Sequence, residues 1–304
     1  MYTESPYSSN QTLEALRDRA RDLVLHGELH KALALLDEAL AVASRSGDTA
    51  LHDLTVCNRS AVAIALGQHG DAIPSLREIL MRTDCHRTAF LAADNLSRAH
   101  ERDKAFKKGL FYARTAQDHA SIVDNAEWLA SCHIQMGNCL LGDSYFADAR
   151  REYESALALV GDEKLALARL ITVANLGYCL MMLGDLRRGM GLSYDALRGY
   201  RRLGAEIFET TPLLDLCFAH LELGRLDTAR RHGRRALRLA EADGHDEHFK
   251  VALFLLGETE RAANNPLAAH GYFSQLQRDF YPDQPQIIAM MTAIEMRQMV
   301  NLRA

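Results

Sequence analysis

The chain has 304 residues, 48% of them apolar and 25% charged, with a formal net charge of −5. This balance excludes wholesale disorder, and the acidic total argues against a nonspecific nucleic-acid binder, which needs a basic surface. Only 6 prolines interrupt long runs of Ala, Leu, Arg and Glu, so helix is favoured throughout, and no alternating Val, Ile or Thr run calls for a strand.

In chain order, the polar residues 1–12 (MYTESPYSSNQT) read as a loose tail without the basic and apolar segments of a secretory signal. No run of 18 apolar residues follows, so a cytoplasmic protein without a membrane span is expected. Residues 13–281 then repeat one phrase: an apolar pair, a turn residue, and a helix carrying small residues at fixed offsets. Aligning the turns gives Gly27, Gly67, Glu101, Ser144, Gly184, Gly224 and Asn264, spaced by 40, 34, 43, 40, 40 and 40 residues.

Five residues after the turn stand Ala32, Ala72, Ala149, Gly189, Ala229 and Ala269, with Phe106 in the third copy. Seven further on come Ala39, Ala113, Ala156, Ala196 and Ala236, while Ile79 and Leu276 depart. Seven before the turn stand Ala20, Ser60, Asp94, Gly137, Gly177, Cys217 and Gly257. Small residues recurring this way let two antiparallel helices approach closely, with larger neighbours such as Leu36, Tyr153 and Phe273 filling the spaces between. In the third copy Asp94, Glu101 and Phe106 break the rule, which predicts a distorted turn there.

The pattern resembles the tetratricopeptide repeat, a 34-residue helix-turn-helix unit. The resemblance implies an all-α, right-handed superhelical solenoid of about seven pairs. Here most copies run 40 residues, and the extra length falls between repeats at Gly47-Asp48, Gly161-Asp162 and Asp243-Gly244. Asp48 and Asp162 are suited to N-cap the helices that follow, lengthening them. Helices of this length resemble those of bacterial transcription activators and peptide-responsive regulators. Residues 285–304 read as a capping helix opened by Pro285, with Ile288, Met291, Ile294 and Met299 turned to the last repeat.

In this family the first helix of each pair lines a concave groove. By that resemblance the groove has a polar early part, with Arg17, Arg21, Asn95, Arg98 and Asn138, then Leu141, and an apolar part, with Tyr178, Met181, Phe218, Leu221 and Phe254. Asn95, Arg98 and Asn138 form a partial version of the basic and amide donors with which family members grip a peptide carboxylate. Aromatic and methionine side chains facing a groove suit an amphipathic helix or an apolar ligand, although interhelix packing uses the same residues.

Residues 185–238 carry eleven arginines against seven acids, among them Arg230, Arg231, Arg234, Arg235 and Arg238, expected on the outer surface. That stretch is either a solvated face or a contact for an acidic protein or nucleic acid. DGHDEH, from Asp243 to His248, is a weak metal pattern in an inter-repeat turn, where such residues also cap helices. The six cysteines (Cys57, Cys85, Cys132, Cys139, Cys179, Cys217) read as reduced core residues. Phosphate-loop, dinucleotide, nucleophile-elbow and zinc-protease motifs are absent from the sequence.

The reading is therefore a non-enzymatic adaptor without cofactor or metal, holding a protein or peptide in its groove. The alternatives are a module that senses a small ligand or peptide and acts on another chain, and nucleic-acid binding through the arginine stretch.

Overall fold

A computed structural model describes residues 6–159, 166–293 and 301–302, and every regular element among them is helical. The chain forms two compact units, Met1–Asp143 and Ser144–Ala304. The first holds α1 (Pro6–Leu25), α2 (Leu29–Ser46), α3 (Thr49–Ala65), α4 (Ala72–Arg82), α5 (His86–Arg102), α6 (Phe106–Val123) and α7 (Ala126–Gly142). The second holds α8 (Phe146–Leu159), α9 (Ala166–Met182), α10 (Leu186–Arg202), α11 (Thr210–Glu222), α12 (Leu226–Asp243), α13 (Asp246–Ala262), α14 (Pro266–Phe280) and α15 (Gln286–Ala293). A short 3-10 turn, Glu206–Glu209, precedes α11.

Within each unit, helices joined by short turns pack on each other, and the first helices of successive pairs also touch: α3 with α5, α5 with α7, α9 with α11, and α11 with α13. The first helices thus form the closely spaced inner row expected of this repeat.

The turns share one chemistry. Gly27, Gly67, Gly184 and Gly224 lie in the left-handed region, at φ 76°, 75°, 91° and 67°. At each, two amide groups close the helix end: at Gly184, its own N–H donates to the Met181 carbonyl (3.0 Å) and the Asp185 N–H to the Leu180 carbonyl (2.8 Å). This double closure satisfies carbonyls that the helix end would leave bare. Ser144 (φ 64°) and Asn264 (φ 55°) hold the same backbone without glycine.

The third copy corrects the expected register. Its left-handed residue is Lys104 (φ 56°), not Glu101, which lies inside α5. The Lys104 N–H donates to the Glu101 carbonyl (2.9 Å) and the Ala105 N–H to the His100 carbonyl (2.8 Å), the same closure as elsewhere. Moving the turn by three residues places Ser97, Gly109 and Ala116 at the three small positions, and all three are buried. The copy is therefore regular, and Asp94 and Phe106 stand outside the small-residue set.

Small positions before and after a turn face one another. A Cβ added at Gly189 would lie 2.5 Å from the Gly177 carbonyl oxygen, and one at Gly109 would lie 3.2 Å from the Ser97 carbonyl oxygen. Ser97 Oγ donates to the Gly109 carbonyl at 2.7 Å, so even the polar member of the set is partnered by its opposite helix.

Two terminal expectations change. Residues 6–12, read as tail, are helical: Pro6 opens α1, where a missing N–H breaks no helix hydrogen bond. Of the expected capping helix, α15 spans Gln286–Ala293, and Met291 packs on the apolar cluster of the second unit. Ile294, Met299 and the Gly161-Asp162 turn lie outside the described residues. Asp48 caps α3 as expected, its Oδ1 accepting the Leu51 N–H at 3.0 Å.

Three substitutions test this architecture. Lys104→Gly should raise stability by about 0.5–1 kcal/mol because a side chain is removed from a left-handed residue, whereas Glu101→Gly in the helix should lower it by about 1 kcal/mol. Equilibrium urea unfolding checks both, and the reverse order would restore the turn to Glu101. Gly189→Ala should cost about 2 kcal/mol by the same assay, since a backbone carbonyl stands where the methyl group would go.

Candidate functional site

In the first unit the polar groove residues are largely engaged already. Arg21 is exposed and pairs with Asp18 one turn away at 3.1 Å. Arg17 is half-buried, and burial followed by the positive charges of Arg87 and Arg21 pushes its guanidinium below its ordinary pKa. Asn95 is buried and donates through Nδ2 to the Cys57 carbonyl at 2.8 Å, tying α5 to α3. Arg98 Nε donates to Asp94 Oδ2 at 2.8 Å, and its Nη2 reaches Ser131 Oγ on α7 at 3.2 Å. Asn138 is half-buried and Leu141 is buried, both on α7. The expected carboxylate grip is not assembled: with the turn at Lys104, Asn95 leaves the groove positions, and Arg98 is neutralised by Asp94.

In the second unit the apolar groove residues converge, but not as an open trough. Tyr178, Met181, Phe218, Leu221 and Phe254, from α9, α11 and α13, are all buried. Met181, Phe218, Leu221 and Phe254 share one apolar cluster with Phe273 and Leu276 of α14, and Met291 and Leu302 pack against it. Tyr178 meets the Phe146 ring edge-on, with centroids 6.1 Å apart. Its hydroxyl is held by the segment at the far end of this sequence: the Leu302 N–H donates to Tyr178 Oη at 2.9 Å, and Tyr178 Oη donates to Asn301 Oδ1 at 3.1 Å. The face thus carries polypeptide contacts that helix periodicity alone does not reveal.

The arginines of α12 divide into two sets. Arg231, Arg234 and Arg238 are exposed. Arg230 instead makes a two-pronged contact with buried Glu260 (2.6 and 3.1 Å), and Arg235 donates to Glu209 Oε2 at 2.6 Å. Arg201 of α10 also donates to Glu209, at 3.1 Å through Nε. Hydrogen bonding to Arg230 holds the Glu260 carboxyl below its ordinary range. Arg230 and Arg235 are therefore struts between adjacent elements, Arg230 mostly withdrawn from solvent and Arg235 still partly exposed on the outer side. Such pairs matter mainly through the cost of breaking them, because a lone carboxylate would remain buried.

Beside these struts lies a polar cluster that the sequence does not announce. Tyr194 Oη of α10 lies 2.9 Å from His220 Nε2 of α11 and 3.3 Å from His232 Nε2 of α12, and the two imidazoles stack with centroids 5.5 Å apart. The signal was three polar rings on three neighbouring helices, invisible until the register of those helices is known. Burial first, then His220 and the charges of Arg231, Arg235 and Arg201, pull the His232 pKa down to about 4.

The thiols differ in exposure. Burial pushes Cys57, Cys132, Cys139 and Cys217 up to about 12, so they are protonated and inert as nucleophiles. Cys85 departs from the expected core placement: it is exposed at the start of α5, and hydrogen bonds from Thr88 lower its pKa. In the Asp243–His248 run, Gly244 ends α12 in the left-handed region and His245 caps α13, its Nδ1 accepting the His248 N–H at 3.4 Å. Among the described residues no group of three His, Cys, Asp or Glu side chains is arranged to hold a metal.

No family model and no curated protein matches the chain by sequence. Its structure is similar to that of NprR in complex with its cognate peptide NprX (TM-score 0.73, 10% identity, 96% of this chain and 83% of that chain). It is also similar to a signal transduction ATPase with a tetratricopeptide repeat sensor from Pyrococcus horikoshii (TM-score 0.69, 12% identity, 95% of this chain and 46% of that one). A third similar structure is aspartyl phosphate phosphatase F from Bacillus subtilis (TM-score 0.58, 14% identity, 91% and 84%). The fold is a TPR-like all-α solenoid. In TPR-like terms the face of α9, α11 and α13 is the inner row, and α12 with its exposed arginines belongs to the outer one. No helix among the described residues is long and apolar enough to cross a membrane.

The histidine cluster gives a pH prediction. Above pH 6.5 His232 is neutral both folded and unfolded, whereas between 6.5 and about 4 the unfolded chain takes up a proton that the folded one refuses. Stability should therefore fall with acidification in that window. Between pH 7 and pH 5 the wild type should lose about 1 kcal/mol more than His232→Gln in urea unfolding, the shift being reduced by solvent screening at this partly exposed ring. Equal losses would show that His232 is not held neutral.

Proposed function

We propose that this chain is a peptide-binding regulatory adaptor whose inner row in the second unit receives a segment of a partner. One observation carries the reading: this face already holds polypeptide, through a main-chain N–H and a carboxamide at Tyr178 and an aliphatic side chain on the apolar cluster. The peptide complex of the similar NprR and the sensor role of the similar Pyrococcus repeats support it as analogies of fold. Because the face is covered rather than open, a binder that responds to a peptide fits better than a passive scaffold. The expected setting is the cytoplasm.

The reading is also one of binding rather than catalysis. Buried thiols such as Cys132, and Cys217 on the inner-row helix α11, stay protonated, and the sequence lacks the motifs that place a nucleophile beside a base. Since one similar structure is a phosphatase, incubation with a phosphorylated aspartyl protein is the direct check, and no phosphate release above background is expected. Nucleic acid is disfavoured as partner because the chain carries a net charge of −5 and Arg188, Arg198, Arg201, Arg230 and Arg235 are each paired with a carboxylate of the protein.

The test is selection of short peptides from a random display library on the full chain, followed by affinity measurement with two variants. Peptides should bind the native chain, weaken about tenfold with Tyr178→Phe, which keeps the ring and removes the hydroxyl, and be indifferent to Arg231→Glu/Arg234→Glu/Arg238→Glu. Loss only in the arginine variant, with affinity falling steeply in salt, would overturn the inner-face reading and move the site to α12.

A further inference from the structure

Three hydrogen bonds join residues 123 or more positions apart into one directed chain. The Leu302 N–H donates to Tyr178 Oη (2.9 Å), that hydroxyl donates to Asn301 Oδ1 (3.1 Å), and Asn301 Nδ2 donates to Ser144 Oγ (3.1 Å). The Tyr178 hydroxyl thus acts as acceptor and donor at once, and the Asn301 carboxamide uses both its oxygen and its nitrogen. Beside them Leu302 packs on the cluster of Met181, Phe218, Leu221 and Phe254. Each of these groups is one that a separate peptide also presents: a carboxamide side chain, the next main-chain N–H, and a large aliphatic side chain. Nothing in the contact requires that the segment be covalently part of the same chain.

We propose that Asn301-Leu302 is an internal stand-in for the partner peptide, that the partner presents a carboxamide residue followed by a large aliphatic one, and that it binds by displacing this segment. The inference rests on the peptide-binding reading above and adds the ligand's chemistry and its regulation. A few polar contacts and one half-buried leucine hold a free peptide weakly, but a tethered segment acts at an effective concentration of order millimolar. The closed form therefore dominates until a peptide with additional anchors arrives, and the apparent affinity of any peptide is lowered by the fraction of chains closed. Ser144 suits the role of outer acceptor because it sits at the left-handed turn (φ 64°) where four other copies have glycine, so a hydroxyl is available there that glycine lacks.

The probe is a fluorescent synthetic peptide with the sequence of residues 296–304, MRQMVNLRA. It should bind the full-chain Asn301→Ala/Leu302→Ala variant at least about tenfold more tightly than the native chain, and a probe with alanine in place of its asparagine should lose that gain. A second variant, Ser144→Cys/Asn301→Cys, should bind the probe poorly when oxidised and recover on reduction. Equal binding by native chain and double variant, both folded by circular dichroism, or undiminished binding by the oxidised chain, would overturn the proposal. If that happens while library-selected peptides still depend on Tyr178, only the internal stand-in fails. If the probe behaves as proposed while selected peptides ignore Tyr178, the closing contact stands and the partner reading fails.

Discussion

Close contact between the two helices of a pair is the constraint from which the rest of this molecule follows. In the fifth copy Gly177 and Gly189 face one another so tightly that a methyl group on Gly189 would meet the Gly177 carbonyl at 2.5 Å. In the third, Ser97 and Gly109 take those places and add a hydrogen bond. Helices that approach this closely are fixed in rotation as well as distance, because only one line of small residues permits the contact. Fixed rotation then decides which side chains of the first helix point to the inner row. The turn chemistry serves the same end: a left-handed residue and two closing amide bonds reverse the chain within a few residues, leaving no slack for another pairing.

From that rotation comes the character of the inner row in the second unit. Tyr178, Met181, Phe218, Leu221 and Phe254 stand on the first helices α9, α11 and α13, and large apolar side chains so placed must be covered by something. Part of the cover comes from neighbouring helices and part from Met291 and Leu302. The two sources differ in permanence. Helix packing is set by the repeat, whereas the contact of Asn301-Leu302 at Tyr178 consists of a few hydrogen bonds and one partly buried side chain, which another peptide can reproduce.

Much of the fold was legible in the residues, because glycine at the turns and small residues at fixed offsets are imposed by backbone geometry and leave their mark locally. The third copy shows where that legibility ended. Lys104 adopts a left-handed backbone without the glycine that announces it, so the turn was placed three residues early, although Ser97, Gly109 and Ala116 carried the correct register. The site was less legible for a different reason. Periodicity tells which way Tyr178 or Phe218 faces, but not what lies over it, and the covering segment is more than a hundred residues away in sequence. The same holds for Arg230 and Arg235: their spacing suggested a charged face, and only the positions of Glu260 and Glu209 on other elements turn them into struts.

The distribution of charge supports a division of labour between the rows. A buried carboxylate must be matched where it sits, so Glu209 is met by Arg201 and Arg235 and Glu260 by Arg230, and the contacts of Arg230 and Arg235 pin α12 to its neighbours. Arg201 and Arg235 also help keep the His232 imidazole neutral, and its contact with Tyr194 then links α10 to α12 by groups that remain uncharged at neutral pH. The outer row is in this way fixed by interactions that are costly to break singly. The inner row is finished by Asn301 and Leu302, whose bonds can be exchanged for equivalent ones from another chain with no charge left unmatched. A solenoid built so can change what occupies its inner face without disturbing the packing that shapes it, which is the physical requirement for a repeat protein that answers to a peptide.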